Sequence, residues 1–151
     1  MAARGGFLAQ LKLMIRVLIV ALVIYGGSLA LAGQGQPASG MATRGGNPEA
    51  AKVQNPVAST PESVAQGRRV YQRLCSRCHG PQGKGDGGGS GGAQAADLTD
   101  DRWDYGSSDG EIFAAVHNGT SMDMEGYAER ISDTDIWNLV NYIRSIGPAK
   151  K

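Results

Sequence analysis

Cysteine, histidine and aromatic side chains are scarce in this chain, and each shortage closes off a class of protein. Two Cys among 151 residues cannot build the several bridges of a small disulfide-framed domain. No Cys directly follows the N-terminal apolar run, which argues against a lipidated N-terminus. A four-ligand zinc site would have only Cys75, Cys78, His79 and the distant His117 to draw on. A net charge of +1 leaves no electrostatic footprint for nucleic acid. No segment alternates as a half-buried strand does, and no internal repeat is present. With 6% aromatic residues and 23 glycines, many of them outside any periodic segment, the expectation is a small core with long loops.

Charge is also missing where it matters. Arg4, Lys12 and Arg16 are the only charges in the first 32 residues. They precede an apolar run over 17–32, and positive charge ahead of such a run marks a targeting segment. Two outcomes stay open. Ala30-Leu31-Ala32 suits cleavage of a secretory signal. Alternatively the run remains as a transmembrane anchor; a span needs roughly 20 residues, so it would begin near Leu11, with Lys12 and Arg16 reaching for the interface. Either outcome exports the remainder to the periplasmic side of the cytoplasmic membrane, tethered or soluble. Residues 33–59, rich in Gly, Pro, Ala and Ser, read as a flexible linker. A folded domain over 60–147 and a short tail, 148–151, complete the chain.

Within that domain three helices are expected. Ser59-Thr60-Pro61-Glu62 opens the first as a capping-box pattern, and Val64, Gly67, Tyr71 and Leu74 recur at helical spacing up to Cys75. The second runs Asp109–Asn118, boxed by Ser108 and Glu111 and stopped by Gly119. The third covers Asp133–Ile146, with Ser132 as N-cap and Ile136, Leu139, Val140, Ile143 and Ile146 on one stripe. The domain is therefore all-α. From Gly33 onward 12 basic residues face 14 acidic ones. Arg68, Arg69, Arg73, Arg77 and Lys84 gather near the cysteines, while 97–135 is acidic. This is either an ordinary solvated surface or a charge dipole that orients docking.

Cys75-Ser76-Arg77-Cys78-His79 is a C-x-x-C-H pattern, the attachment signature of a covalent c-type haem. Two thiols bond the vinyl groups on one side of the porphyrin, and the adjacent imidazole reaches the iron. A thioredoxin-like pair would need strands around it, and a disulfide closing so short a loop gains little.

The chain from Ser63 to Ile146 resembles the class I c-type cytochromes. The run Ala65-Gln66-Gly67-Arg68-Arg69-Val70-Tyr71 leads into the C-x-x-C-H pattern. Gly83-Lys84-Gly85-Asp86-Gly87, Asp97-Leu98-Thr99 and the segment from Ile136 to Arg144 follow. The resemblance implies one covalent haem c in a crevice and first and last helices that cross. Gly67 would admit the close approach, with Tyr142 nearby. It also implies that the Pro81 carbonyl accepts the His79 Nδ1 hydrogen, and that the iron's sixth ligand is a Met. Met124 fits best, with Tyr127 three residues on and Ile131-Ser132 opening the last helix; Met122 remains a rival. Neither is followed by Pro, a departure that leaves the loop less rigid. His117, in the last turn of its helix, is a further and weaker rival. Trp103 and Tyr105 either line the crevice or pack in a loop, and Arg102 could pair with a propionate.

The expected cofactor-binding set is Cys75, Cys78, His79 and Met124, with His79 and Met124 on the metal. The expected function is one-electron transfer between membrane or periplasmic redox proteins. No small-molecule substrate is transformed, and no enzyme activity is expected of the chain itself. Two alternatives stand beside it: a fixed subunit of a larger membrane oxidoreductase, and a haem enzyme or gas-binding protein with an open iron position.

Overall fold

The computed structural model describes residues 41–89 and 94–148. The expected targeting segment, the first part of the linker and most of the tail lie outside the described residues. Among those described, no helix is long and apolar enough to cross a membrane.

Among the described residues five helices follow one another: α1 (Pro48–Ala51), α2 (Pro61–Leu74), α3 (Ser76–His79), α4 (Asp109–Asn118) and α5 (Asp133–Ile146). The described residues hold no strand, only an isolated antiparallel bridge between Gly119 and Glu125. The α4 capping box forms as its sequence suggests, with Ser108 and Glu111 exchanging hydrogen bonds. At α2 the cap is Thr60, whose side chain accepts the Ser63 N–H. The box expected from Ser59 and Glu62 is replaced by this single bond.

Helices α2 and α5 cross at Gly67. A Cβ there would lie 2.0 Å from the Asn138 carbonyl oxygen and 2.9 Å from Tyr142 Cβ, so only a bare Cα admits the contact. Val70 and Tyr71 of α2 meet Ile136, Leu139, Val140 and Ile143 of α5, and Ile112, Phe113 and Val116 of α4 close the core. Helix α5 is buried beyond its apolar stripe, because Asn138 and Asn141 are buried as well. Their polar atoms are matched: Ser63 Oγ donates to Asn138 Oδ1 at 2.7 Å, and Asn141 Nδ2 donates to Ser63 Oγ at 2.8 Å. No buried side-chain polar atom among the described residues lacks a partner, which is what a low-dielectric interior demands.

The described part of the expected linker, 41–59, is packed structure rather than a free spacer. Asn47 caps α1 with its side-chain oxygen. Ala50 is buried, and Asn55 Nδ2 donates to the Trp137 carbonyl at 3.2 Å and to Asn141 Oδ1 at 2.9 Å. The segment lacks periodicity because backbone N–H groups and single polar side chains hold it, not an apolar stripe.

Candidate haem site

Helix α2 delivers the attachment motif. Its last turn runs into α3, a single turn in which the Cys75 carbonyl accepts the N–H groups of Cys78 and His79 at 3.1 and 2.9 Å. Both thiols and the imidazole thus sit on one helical turn. Tyr71, fully buried, donates its hydroxyl to the Gly80 carbonyl at 2.6 Å and fixes the chain just past His79. Burial drives the Tyr71 hydroxyl well above the ordinary tyrosine range, so it remains a donor. Burial, and then the neighbouring Cys78, push the Cys75 thiol up to about 12. An unattached Cys75 would therefore be a protonated thiol at neutral pH.

The glycine-rich loop folds back over this turn. Gly85 and Gly87 donate their N–H groups to the carbonyls of His79 and Cys78, at 2.9 and 3.1 Å. The segment after it supplies the partner of the histidine: His79 Nδ1 lies 2.9 Å from the Ala96 carbonyl oxygen. A carbonyl can only accept, so Nδ1 carries the proton and Nε2 keeps its lone pair. This tautomer is the one a metal-ligating imidazole requires. The acceptor differs from the Pro81 carbonyl expected by resemblance. Pro81 sits in an exposed turn, whereas Leu98 N–H bonds the Gly83 carbonyl at 2.6 Å and draws Ala96 to the ring.

The third component is a hairpin between α4 and α5. The Ser121 hydroxyl accepts the N–H groups of Asp123 and Met124, each at 3.2 Å. Thr120 N–H bonds the Met124 carbonyl at 2.9 Å. The arms cross tightly at Gly119, where a Cβ would fall 2.6 Å from both Met124 O and Gly126 N. Past the hairpin, Tyr127 N–H returns to the Val116 carbonyl at 3.0 Å. The Tyr127 hydroxyl reaches the Leu74 carbonyl at 3.4 Å, tying the hairpin to the residue before Cys75.

These parts enclose a cavity of about 620 Å³, within the range of cofactor sites, roughly 300–1,000 Å³. Cys75, Cys78, His79 and Met124 all line it, against apolar walls from Leu74, Leu98, Ile112, Val116, Leu139 and Ile143. Trp103, Tyr105 and Arg102 line it as well, as does Arg44 from the segment expected to be linker. Met122 is 87% exposed and His117 is not among the lining residues. His117 Nδ1 pairs with Asn118 Oδ1 at 2.6 Å, its ring stacks on Phe113, and its Nε2 lies 3.6 Å from Asp133. Arg68, Arg69 and Arg73 are exposed on α2. Ala96, Ser121 and Arg44 escaped the sequence reading. Ala96 acts through its backbone, which leaves no trace in residue type, and Ser121 was legible only as a serine three positions before a candidate ligand.

Thiols, an Nδ1-protonated histidine and a thioether around one partly apolar cavity match the chemistry of a haem c pocket. The helix crossing and this pocket define a cytochrome c domain. A chain of the reducing HAO-like protein complex of Kuenenia stuttgartiensis superposes with a TM-score of 0.55 at 26% identity, over 64% of this chain and 50% of that one. Cytochrome cL from Hyphomicrobium denitrificans shares the fold at 20% identity, with a TM-score of 0.53 and 74% of each chain covered. The chain belongs to the family described as cytochrome c oxidase, cbb3-type, subunit III, which matches residues 62–143. The cbb3-type oxidase subunit CcoP of Azospirillum sp. (strain B510) is 32% identical over 58% of this chain and 30% of its own length. The FixP subunit of Bradyrhizobium sp. (strain ORS 278) is 30% identical over 58% and 29%. The chain thus spans less than a third of these curated relatives. Its domain is an electron-transfer domain of the cytochrome c kind, whose family cofactor is covalently held haem.

Proposed function

We propose that this domain carries single electrons through one haem c, bound by thioether links to Cys75 and Cys78 and ligated by His79 and Met124. The observation that carries the reading is the shared cavity: all four side chains line it, while Met122 stands in solvent. The haem iron would supply a reversible one-electron Fe(III)/Fe(II) couple there. The chain's own residues do the rest. Ala96 holds the His79 proton on Nδ1 and leaves Nε2 to donate. Met124 offers a soft thioether, which favours the reduced metal and a higher potential. Ser121, Gly119 and Tyr127 hold the hairpin in place, so little rearrangement accompanies a change of charge. Leu74, Leu98, Ile112, Val116, Leu139 and Ile143 give the ring an apolar face to pack against. The test is a potentiometric titration of the exported holoprotein with haem detection on a denaturing gel. A single reversible one-electron step on covalently retained haem supports the reading. Several steps, or haem released on denaturation, would contradict it.

A second reading has a specific observation behind it. The named relatives are subunits of cbb3-type oxidases, so the domain would serve as a fixed subunit on the periplasmic side of a membrane complex, fed by redox proteins. The targeting segment, as anchor or cleaved signal, delivers it there. Detergent extraction separates the two: stoichiometric copurifying subunits establish the fixed role, and purification alone establishes the free carrier.

A further inference from the structure

Residues 41–47 precede the family-matched segment, yet they are bonded at three places: to the two ends of α4 and to Asp104, which lines the cavity. Ala42 donates its N–H to the Gly119 carbonyl at 2.8 Å, at the root of the Met124 hairpin. Gly45 donates to the Asp104 carbonyl at 2.7 Å, and Arg44 pairs with the Asp104 carboxylate at 3.2 Å. Asn47 donates its N–H to Glu111 Oε1 at 3.0 Å, while Glu111 Oε2 accepts the Ser108 N–H at 2.9 Å. Ala42 meets the C-terminal end of α4 and Asn47 its first turn, so the segment runs antiparallel along that helix. The fit is tight. Gly46 has φ +95°, and a Cβ on it would fall 2.6 Å from Glu111 Oε1. A Cβ on Gly110 would fall 2.0 Å from the Ala50 carbonyl oxygen.

We infer that residues 41–47 are a strap that completes the haem site, fastened at Glu111 and holding the Met124 hairpin shut. The inference rests on Met124 as the sixth ligand. A Met124 thioether on the iron would be held there by its hairpin, and Ala42 is bonded at the root of that hairpin, Gly119, whose Cα packs against the Met124 carbonyl. No Pro follows Met124 to stiffen the loop. The strap and the Ser121 turn take that part. Arg44, carried by the strap, stands at the solvent-exposed edge of the cavity, paired with Asp104. Its C-terminal continuation is tied by Asn55 to α5, which keeps the strap from sliding.

The test uses the full-length, haem-loaded protein with two substitutions outside the family-matched region. Gly46→Val forces the strap off Glu111, and Ala42→Pro removes the donor to Gly119. Carbon monoxide is the probe, because it takes the reduced iron only where the thioether has left, and its apparent affinity scales with that open fraction. The expected result is an increase of about tenfold in carbon monoxide affinity, the scale of one or two lost hydrogen bonds. Part of the sulfur-to-iron band should also be lost, with covalent haem and far-ultraviolet helix signal unchanged. Parental band and carbon monoxide response in both variants would overturn the strap alone. A parent protein with no sulfur-to-iron band would overturn the Met124 ligand, and the strap's role with it.

Discussion

Met122 and Met124 offer the same thioether two residues apart, and the hairpin gives them different surroundings. Met124 lines the cavity, whereas Met122 is 87% exposed. Two features of sequence context, Tyr127 three residues on and Ile131-Ser132 opening the last helix, favour Met124 without excluding its neighbour. The backbone sets these surroundings: two N–H groups, those of Asp123 and Met124, converge on the Ser121 hydroxyl and turn the chain at the hairpin. Ser121→Ala strips this one acceptor from a partly exposed turn. The expected cost is about 1 kcal/mol, concentrated in the hairpin. Thermal loss of the sulfur-to-iron band should then begin at lower temperature than loss of helix in the variant, with a smaller gap in the parent. His79 shows the limit of sequence at this scale. Its place on the motif was plain, while its acceptor, the Ala96 carbonyl, is a backbone atom from another segment.

At the scale of elements, α4 and α5 match their expected bounds because their signals are local: Ser108 and Ser132 cap them, and Gly119 and Gly147 end them. The α2–α5 crossing was legible from one glycine. Gly67→Ala would press a methyl onto the Asn138 carbonyl, and the overpacking should cost about 1–3 kcal/mol, net of the better helix propensity of Ala. Denaturant unfolding of the holoprotein measures it, and an unchanged midpoint would contradict the crossing. The strap was illegible as structure because Gly, Pro and Ala at irregular spacing look the same in a spacer and in a segment pinned by backbone bonds. Glu111 gives it a pH signature. Burial would raise its pKa, but hydrogen bonds from Ser108, and from the backbone of Asn47 and Ser107, outweigh that and hold it below the ordinary value of 4.5. A lowered folded value means that the carboxylate's contribution is full above 4.5 and is lost as pH falls through the folded value. Glu111→Gln should therefore be less stable than the parent at pH 7, with the difference shrinking toward pH 3. Urea unfolding at the two pH values checks it, and a difference constant with pH would contradict the charged fastening.

For the molecule as a whole, charge and organisation follow from the same division. Arg68, Arg69 and Arg73 are exposed on α2, which leads into the attachment motif, while Asp97, Asp100, Asp104 and Asp123 line the cavity. All-α architecture, the attachment motif and the order of the helices could be read directly, since each rests on local pattern. The enclosed cavity could not, because it is made by segments far apart in sequence: the C-x-x-C-H turn, the 94–98 segment, the Met124 hairpin and the strap. The most direct test of that assembly is the visible and near-infrared spectrum of the oxidised, haem-loaded protein, recorded for the parent, Met122→Ala and Met124→Ala. A weak sulfur-to-iron band in the parent that survives Met122→Ala and vanishes in Met124→Ala is the expected result. A high-spin parent without that band, or a band lost with Met122 instead, would contradict the ligand set on which the electron-carrier mechanism rests.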